Sequence, residues 1–148
     1  MPSEKAGKPA PEYALSIRPH WAWLILHGPK HGENRTKNLF RNIPLPTRIF
    51  IHATKTRDDI SYALDIRLTN TLRKDCPNVL EEIVNGLGGL DNAPAGAIVG
   101  EITVTDVHGR KEGCPWCWGP VVYQLAEPVV YDEPIPCRGQ LGLWKPHL

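Results

Sequence analysis

No run in the 148 residues is apolar over the roughly 20 positions that a membrane helix needs, and no secretory signal pattern is read at the start. Internal repeats and low-complexity tracts are missing too, which argues against a repeat architecture. Cysteine is scarce. Four thiols in a chain of this size, without a secretory signal, are expected to be reduced in a cytoplasmic protein. Cys114 and Cys117 have the spacing of zinc knuckles and redox motifs, but the second pair of a four-ligand site is absent. Only Cys76, Cys137 and scattered histidines could complete one, and no thioredoxin-like context surrounds the pair. The expectation is therefore no metal and no cofactor, with two loop thiols flanked by tryptophans helping to close a pocket. No helix with a basic face is evident either, which disfavours recognition of a duplex.

Net charge is also nearly absent, at +1, but this total hides an asymmetry. Between Arg18 and Arg57 eight Lys or Arg residues face a single acid, Glu33, for a local charge of +7. The remainder holds nine cations against fifteen acids, or −6. Such a segment reads as a footprint for a polyanion, with an ordinary solvated basic face as the bland alternative. A solitary acid among cations suits orienting a Lys or Arg.

Local structure in that segment is legible. Pro19 suits the first turn of a helix and Gly28 the left-handed position past its end. The run from Trp21 to Leu26 has no polar face, so the helix is expected to be buried. Beyond Gly28 a strand is expected, with Glu33, Arg35 and Lys37 on one face and Lys30 in the turn before it. Residues 38–47 read as a loop carrying Arg41, and Arg48–Ala53 as a strand whose end delivers His52 and Lys55. Taken alone, His52 reads as a packed histidine bonded to backbone.

Thr56 and Asp59 resemble a capping box, and Ile60, Ala63, Leu64, Leu68, Thr71 and Leu72 mark a helical face broken at Pro77. A second short helix through Leu80 and Ile83 is expected to stop at Gly86; both helices read as cover without chemistry. Residues 97–107 alternate as a strand in which Gly100 signals a bulge or a close backbone approach. Glu101 is read as an exposed strand residue, or as a second carboxylate if Gly100 marks the cleft. Residues 108–119 form a loop; 121–125 and 128–131 are strands, and 142–145 are expected to close a barrel. Fifteen prolines and thirteen glycines fit such a turn-rich architecture. Residues 1–12 are expected to be a disordered leader and 13–148 a single domain.

Several blocks stand in an informative order: Ser16-Ile17-Arg18-Pro19 before Trp21-Ala22, then Gly28-x-Lys30-x-x-Glu33-x-Arg35, then Ile49–Ala53. Ala97–Gly100 and the ending from Pro134 to Trp144 follow. Together they resemble the ASCH domain family of the PUA-like superfamily, from about Tyr13 onward. The resemblance implies an α+β chain, a PUA-like small β-barrel with a few covering helices and a cleft lined by the Lys30–Arg35 segment. It does not imply one activity, since members are linked to RNA binding, ribonuclease action and hydrolysis of acylated cytidine.

The expected function is binding of single-stranded RNA or a modified nucleobase or nucleoside in a basic cleft, extended by metal-independent ribonuclease chemistry. Lys30, Glu33, His52 and Lys55 are the catalytic candidates, with His31 as an alternative base. Arg18, Trp21, Arg35, Lys37 and Arg41 are the nucleic-acid candidates: cations for phosphates and Trp21, Trp116 or Trp118 for base stacking. An amidohydrolase acting on acylated cytidine is one alternative. The resemblance places that reaction's Thr nucleophile where this chain has Glu33, which could instead activate water as a general base. A non-catalytic network that reads a base edge, and a protein-interaction module with an exposed Trp patch, are the others.

Overall fold

The strand runs of the sequence become one mixed sheet of six strands in the computed structural model, which describes residues 9–55 and 66–148. They are β1 (Ala14–Ile17), β2 (Gly32–Arg35), β3 (Thr47–Ala53), β4 (Ala97–His108), β5 (Val121–Pro136) and β6 (Leu143–Trp144). Their order is β2-β5-β4-β3-β1-β6, with β1 parallel to β3 and all other neighbours antiparallel. With three α-helices among the described residues the chain is α+β, and the sheet curls into a half-barrel. Residues 143–144 extend the sheet at β1 and leave β6 an edge, so they do not close a barrel.

The parallel β1–β3 pair requires a crossover, and α1 (Pro19–Leu26) followed by β2 supplies it. Proline opens α1 and Gly28, at φ 104°, follows its end. Seven of its eight residues are buried, Trp21 being the exception. Ala22, Ile25 and Leu26 join Leu15, Ile17, Ile49, Ile51, Ala53 and Tyr123 in the main core. Trp23 and Leu24 face a second cluster with Leu68, Leu72, Ile83, Leu90 and Trp116. Each fully buried Leu or Ile among them contributes about 1.5–3 kcal/mol. The helix thus joins both clusters and fixes where residue 30 emerges.

The other helices are α2 (Ile66–Asp75) and α3 (Pro77–Glu81), separated at the expected break. A wider helical turn over residues 82–87 carries the chain past Gly86 to Gly88, at φ 77°. Residues 121–125 and 128–131 belong to one long β5, bent where Glu127 takes φ 55°. Register shifts in the β4–β5 pairing absorb the bend. Gly100 lies at one of them, and a Cβ there would collide with the Val129 carbonyl and with Leu26. Residues 1–8 of the expected leader, and Thr56, Asp59, Ile60, Ala63 and Leu64 of the expected helix, lie outside the described residues. No helix among the described residues is long and apolar enough to cross a membrane.

Candidate functional site

The end of α1 and the start of β2 place a lysine, a glutamate and an arginine in one connected network. Lys30 Nζ donates to the Gly32 carbonyl and to Glu33 Oε1 at 3.0 Å. Arg35 Nε donates to Glu33 Oε2 at 3.0 Å, and its NH2 donates to the Ser16 carbonyl at 3.0 Å, tying β2 to β1. Alternation along β2 puts Glu33 and Arg35 on the same side. Lys30 is only 4% exposed and Glu33 7%, a degree of burial that both groups tolerate because they are paired. Burial pushes the Lys30 ammonium below the usual lysine range; Glu33 opposes that shift and Arg35 reinforces it.

This network forms part of the wall of an open cleft with two adjoining lobes. One, of about 430 Å³, is lined by Ser16, Arg18, Lys30, Glu33, Arg35 and Trp118, among others. The other, of about 590 Å³, takes in Trp21, Leu68, Thr71, Arg110, Lys111 and the Cys114–Trp118 loop. Trp21, Lys30 and Trp118 border both lobes. The Lys30 ammonium lies 5.6 Å from the centre of the Trp21 ring, within cation–π range. Trp118 is 61% exposed, a large apolar surface at the cleft mouth.

The loop that forms the roof is anchored to β2. Asn34 Nδ2 donates to the Trp116 carbonyl at 3.2 Å, while its Oδ1 accepts from the amides of Trp118 at 3.0 Å and Gly119 at 2.8 Å. Gly32 lets the strands and roof approach, since a Cβ there would lie 2.6 Å from the Trp116 oxygen. Within the loop, Cys114 and Cys117 are joined by a disulfide, with S–S 2.32 Å. This differs from the reduced pair expected: the turn brings their Cα atoms to 5.3 Å, within disulfide reach.

The remaining candidates separate clearly. Arg18 is exposed at the start of α1 and lines the cleft. Lys37 lies beyond β2, where the strand pattern no longer holds it on the face of Glu33 and Arg35; its side chain is exposed while its carbonyl accepts from Tyr123 at 2.6 Å. Arg41 is exposed and lines neither lobe. His52 points to the other face of β3, because the alternate residues Ile51 and Ala53 occupy the main core. There it meets Ser16 Oγ at 3.2 Å and the Cys137 carbonyl at 2.9 Å, packed edge-on to Trp144. Lys55 is exposed and borders a separate cavity with His52, Arg138 and Gly139. The structure therefore does not bring His52 or Lys55 to Lys30 and Glu33.

Glu101, expected to be exposed, is 1% exposed and away from the cleft. Its carboxylate accepts from Arg48 Nε at 2.8 Å and from the Tyr131 hydroxyl, while Arg48 NH1 also bonds Thr103 and the Glu127 carbonyl. Burial and this carboxylate push the Tyr131 hydroxyl above its ordinary range.

Sequence reasoning missed Asn34, Arg110, Lys111 and the wall that α2 supplies through Leu68 and Thr71. Nothing local in the sequence marks Asn34, because the 114–119 loop that covers it is distant in sequence. Chemically, the cleft offers aromatic surface, exposed cations at its rim and a buried carboxylate already engaged by two cations. No protein-family model matches the chain, and no curated protein matches it.

Proposed function

We propose that this chain is an ASCH domain of the PUA-like superfamily whose cleft binds an unpaired base, in single-stranded RNA or as a modified nucleoside. The observation that carries the reading is the placement of the buried Lys30–Glu33 pair and its half-buried partner Arg35 on a cleft bordered by Trp21 and Trp118. A base has a π-face that an exposed tryptophan can stack, a contact worth about 1–3 kcal/mol. Its edge carries donors and acceptors that a fixed ammonium, carboxylate and guanidinium can match. The exposed Arg18, Arg110 and Lys111 at the rim suit flanking phosphates. The half-barrel is compatible with the PUA-like architecture that the ordered sequence blocks suggest.

Binding is favoured over ribonuclease action because His52 and Lys55 border a separate cavity and His31, the alternative base, lines neither lobe of the cleft. A second reading, hydrolysis of acylated cytidine, rests on Glu33 lining the cleft, where its carboxylate could activate water beside the bound base. Titrating tryptophan fluorescence with single-stranded RNA, cytidine and N4-acylated cytidine tests the reading. Saturable quenching that Trp118→Ala weakens at least tenfold supports it; no quenching by any of the three at millimolar ligand contradicts it. Glu33→Gln then separates reader from enzyme. A reader loses affinity and has no turnover to lose, whereas a hydrolase loses about two to four orders of magnitude in release of the acid.

A further inference from the structure

His31, Cys114 and Cys117 converge at the junction of the roof and β2, and nothing in the base-binding reading requires them to. One donor atom from each lies within 4.8 Å of the other two, although the histidine is distant in sequence from the cysteine pair. A tetrahedral zinc ion with Zn–S of about 2.3 Å and Zn–N of about 2.0 Å needs donors roughly 3.5–3.8 Å apart, so modest side-chain adjustment would bring these three onto one ion. The loop is already folded for the purpose: Cys114 N donates to the Lys111 carbonyl, Cys117 N to the Cys114 carbonyl and Lys111 N to the Cys117 carbonyl. Cys117 is buried, Cys114 half-buried and His31 exposed, so the donors run from the interior to solvent and leave an entry path.

We propose that the reduced chain binds one zinc ion through His31, Cys114 and Cys117, with the fourth position open to water or to a bound ligand. Two thiolates and a neutral imidazole are borderline-soft donors that select zinc over magnesium or calcium. The ion and the disulfide exclude each other. A dithiol reductant passes two electrons and two protons to the Cys114–Cys117 bond and is itself oxidised to a disulfide. Zinc then displaces the two thiol protons, which leave to solvent. The bound ion would join the roof to the residue next to Lys30, independently of the Asn34 anchor. A second cysteine pair, which the sequence lacks, is replaced by one histidine and an open site.

The full-length chain, reduced with a dithiol and desalted without air, is titrated with cobalt(II) as a spectroscopic stand-in for zinc. The expected result is one cobalt per chain with tetrahedral visible absorption and a thiolate-to-metal charge-transfer band, bleached by one equivalent of zinc. The oxidised wild type, whose fold is that described above, and Cys114→Ser/Cys117→Ser should lack the band. His31→Ala, at an exposed position, should weaken cobalt binding at least tenfold. Absence of the charge-transfer band at stoichiometric cobalt overturns the site, and so does affinity that His31→Ala leaves unchanged.

Discussion

Asn34 holds Trp118 in place: the Asn34 Oδ1 accepts from the Trp118 amide at 3.0 Å and also from the next amide, that of Gly119. Its Nδ2 completes the clamp at the Trp116 carbonyl. Each such bond is worth about 1 kcal/mol net. Asn34→Ala should therefore cost about 2–3 kcal/mol in urea unfolding and speed hydrogen exchange at the Trp118 and Gly119 amides. Asn34→Asp keeps the acceptor and should retain most of the exchange protection. Unchanged exchange in Asn34→Ala would show that the roof holds itself.

Acid should destabilise the fold through His20. This residue is 5% exposed, its Nδ1 has no partner among the described residues, and burial, with help from Arg18 and Lys30, lowers its pKa from 6.5 to about 4. The unfolded chain binds the proton first, so stability is full above about pH 6.5 and falls as pH drops towards 4. A shift of this size corresponds to roughly 3 kcal/mol. His20→Gln should flatten that part of the stability–pH curve, measured by urea midpoints between pH 4 and 7. An equally steep fall in the variant would place the responsible group elsewhere.

Much of the opening segment was legible because its signals are local. Pro19 and Gly28 bracket α1, the apolar run from Trp21 predicts its burial, and alternation puts Glu33 beside Arg35. What failed to read depends on contacts distant in sequence. Asn34 meets the roof more than eighty residues later, and Glu101 is buried only because Arg48 and Tyr131 converge on it. His52 sits at the end of a strand, a usual place for function, yet β3 turns it towards Ser16 and Trp144. Composition located the charge of residues 18–57 but not its partition. Arg18 faces the cleft, Arg48 is buried with Glu101, and Lys37 and Arg41 point elsewhere.

That partition predicts how RNA affinity responds to salt. If Arg18, Arg110 and Lys111 each meet one phosphate, a log–log plot of affinity against salt should have a slope of about −2, at roughly −0.7 per contact. Arg110→Ala should make it shallower by about 0.7, whereas Arg41→Ala should leave it unchanged. A steeper slope that Arg41→Ala reduces would move the RNA path onto the outer basic face.

Base binding between Trp21 and Trp118 is tested most directly by the indole N–H signals of the five tryptophans in a nitrogen-15 correlation spectrum, assigned by single Trp→Phe variants. On addition of a short single-stranded RNA, the Trp21 and Trp118 signals should shift together with the Lys30–Arg35 amides, while Trp144, packed against His52, stays still. Movement of Trp144 with the Lys55 and Arg138 amides, and no change at Trp21 and Trp118, would contradict the assignment of the cleft.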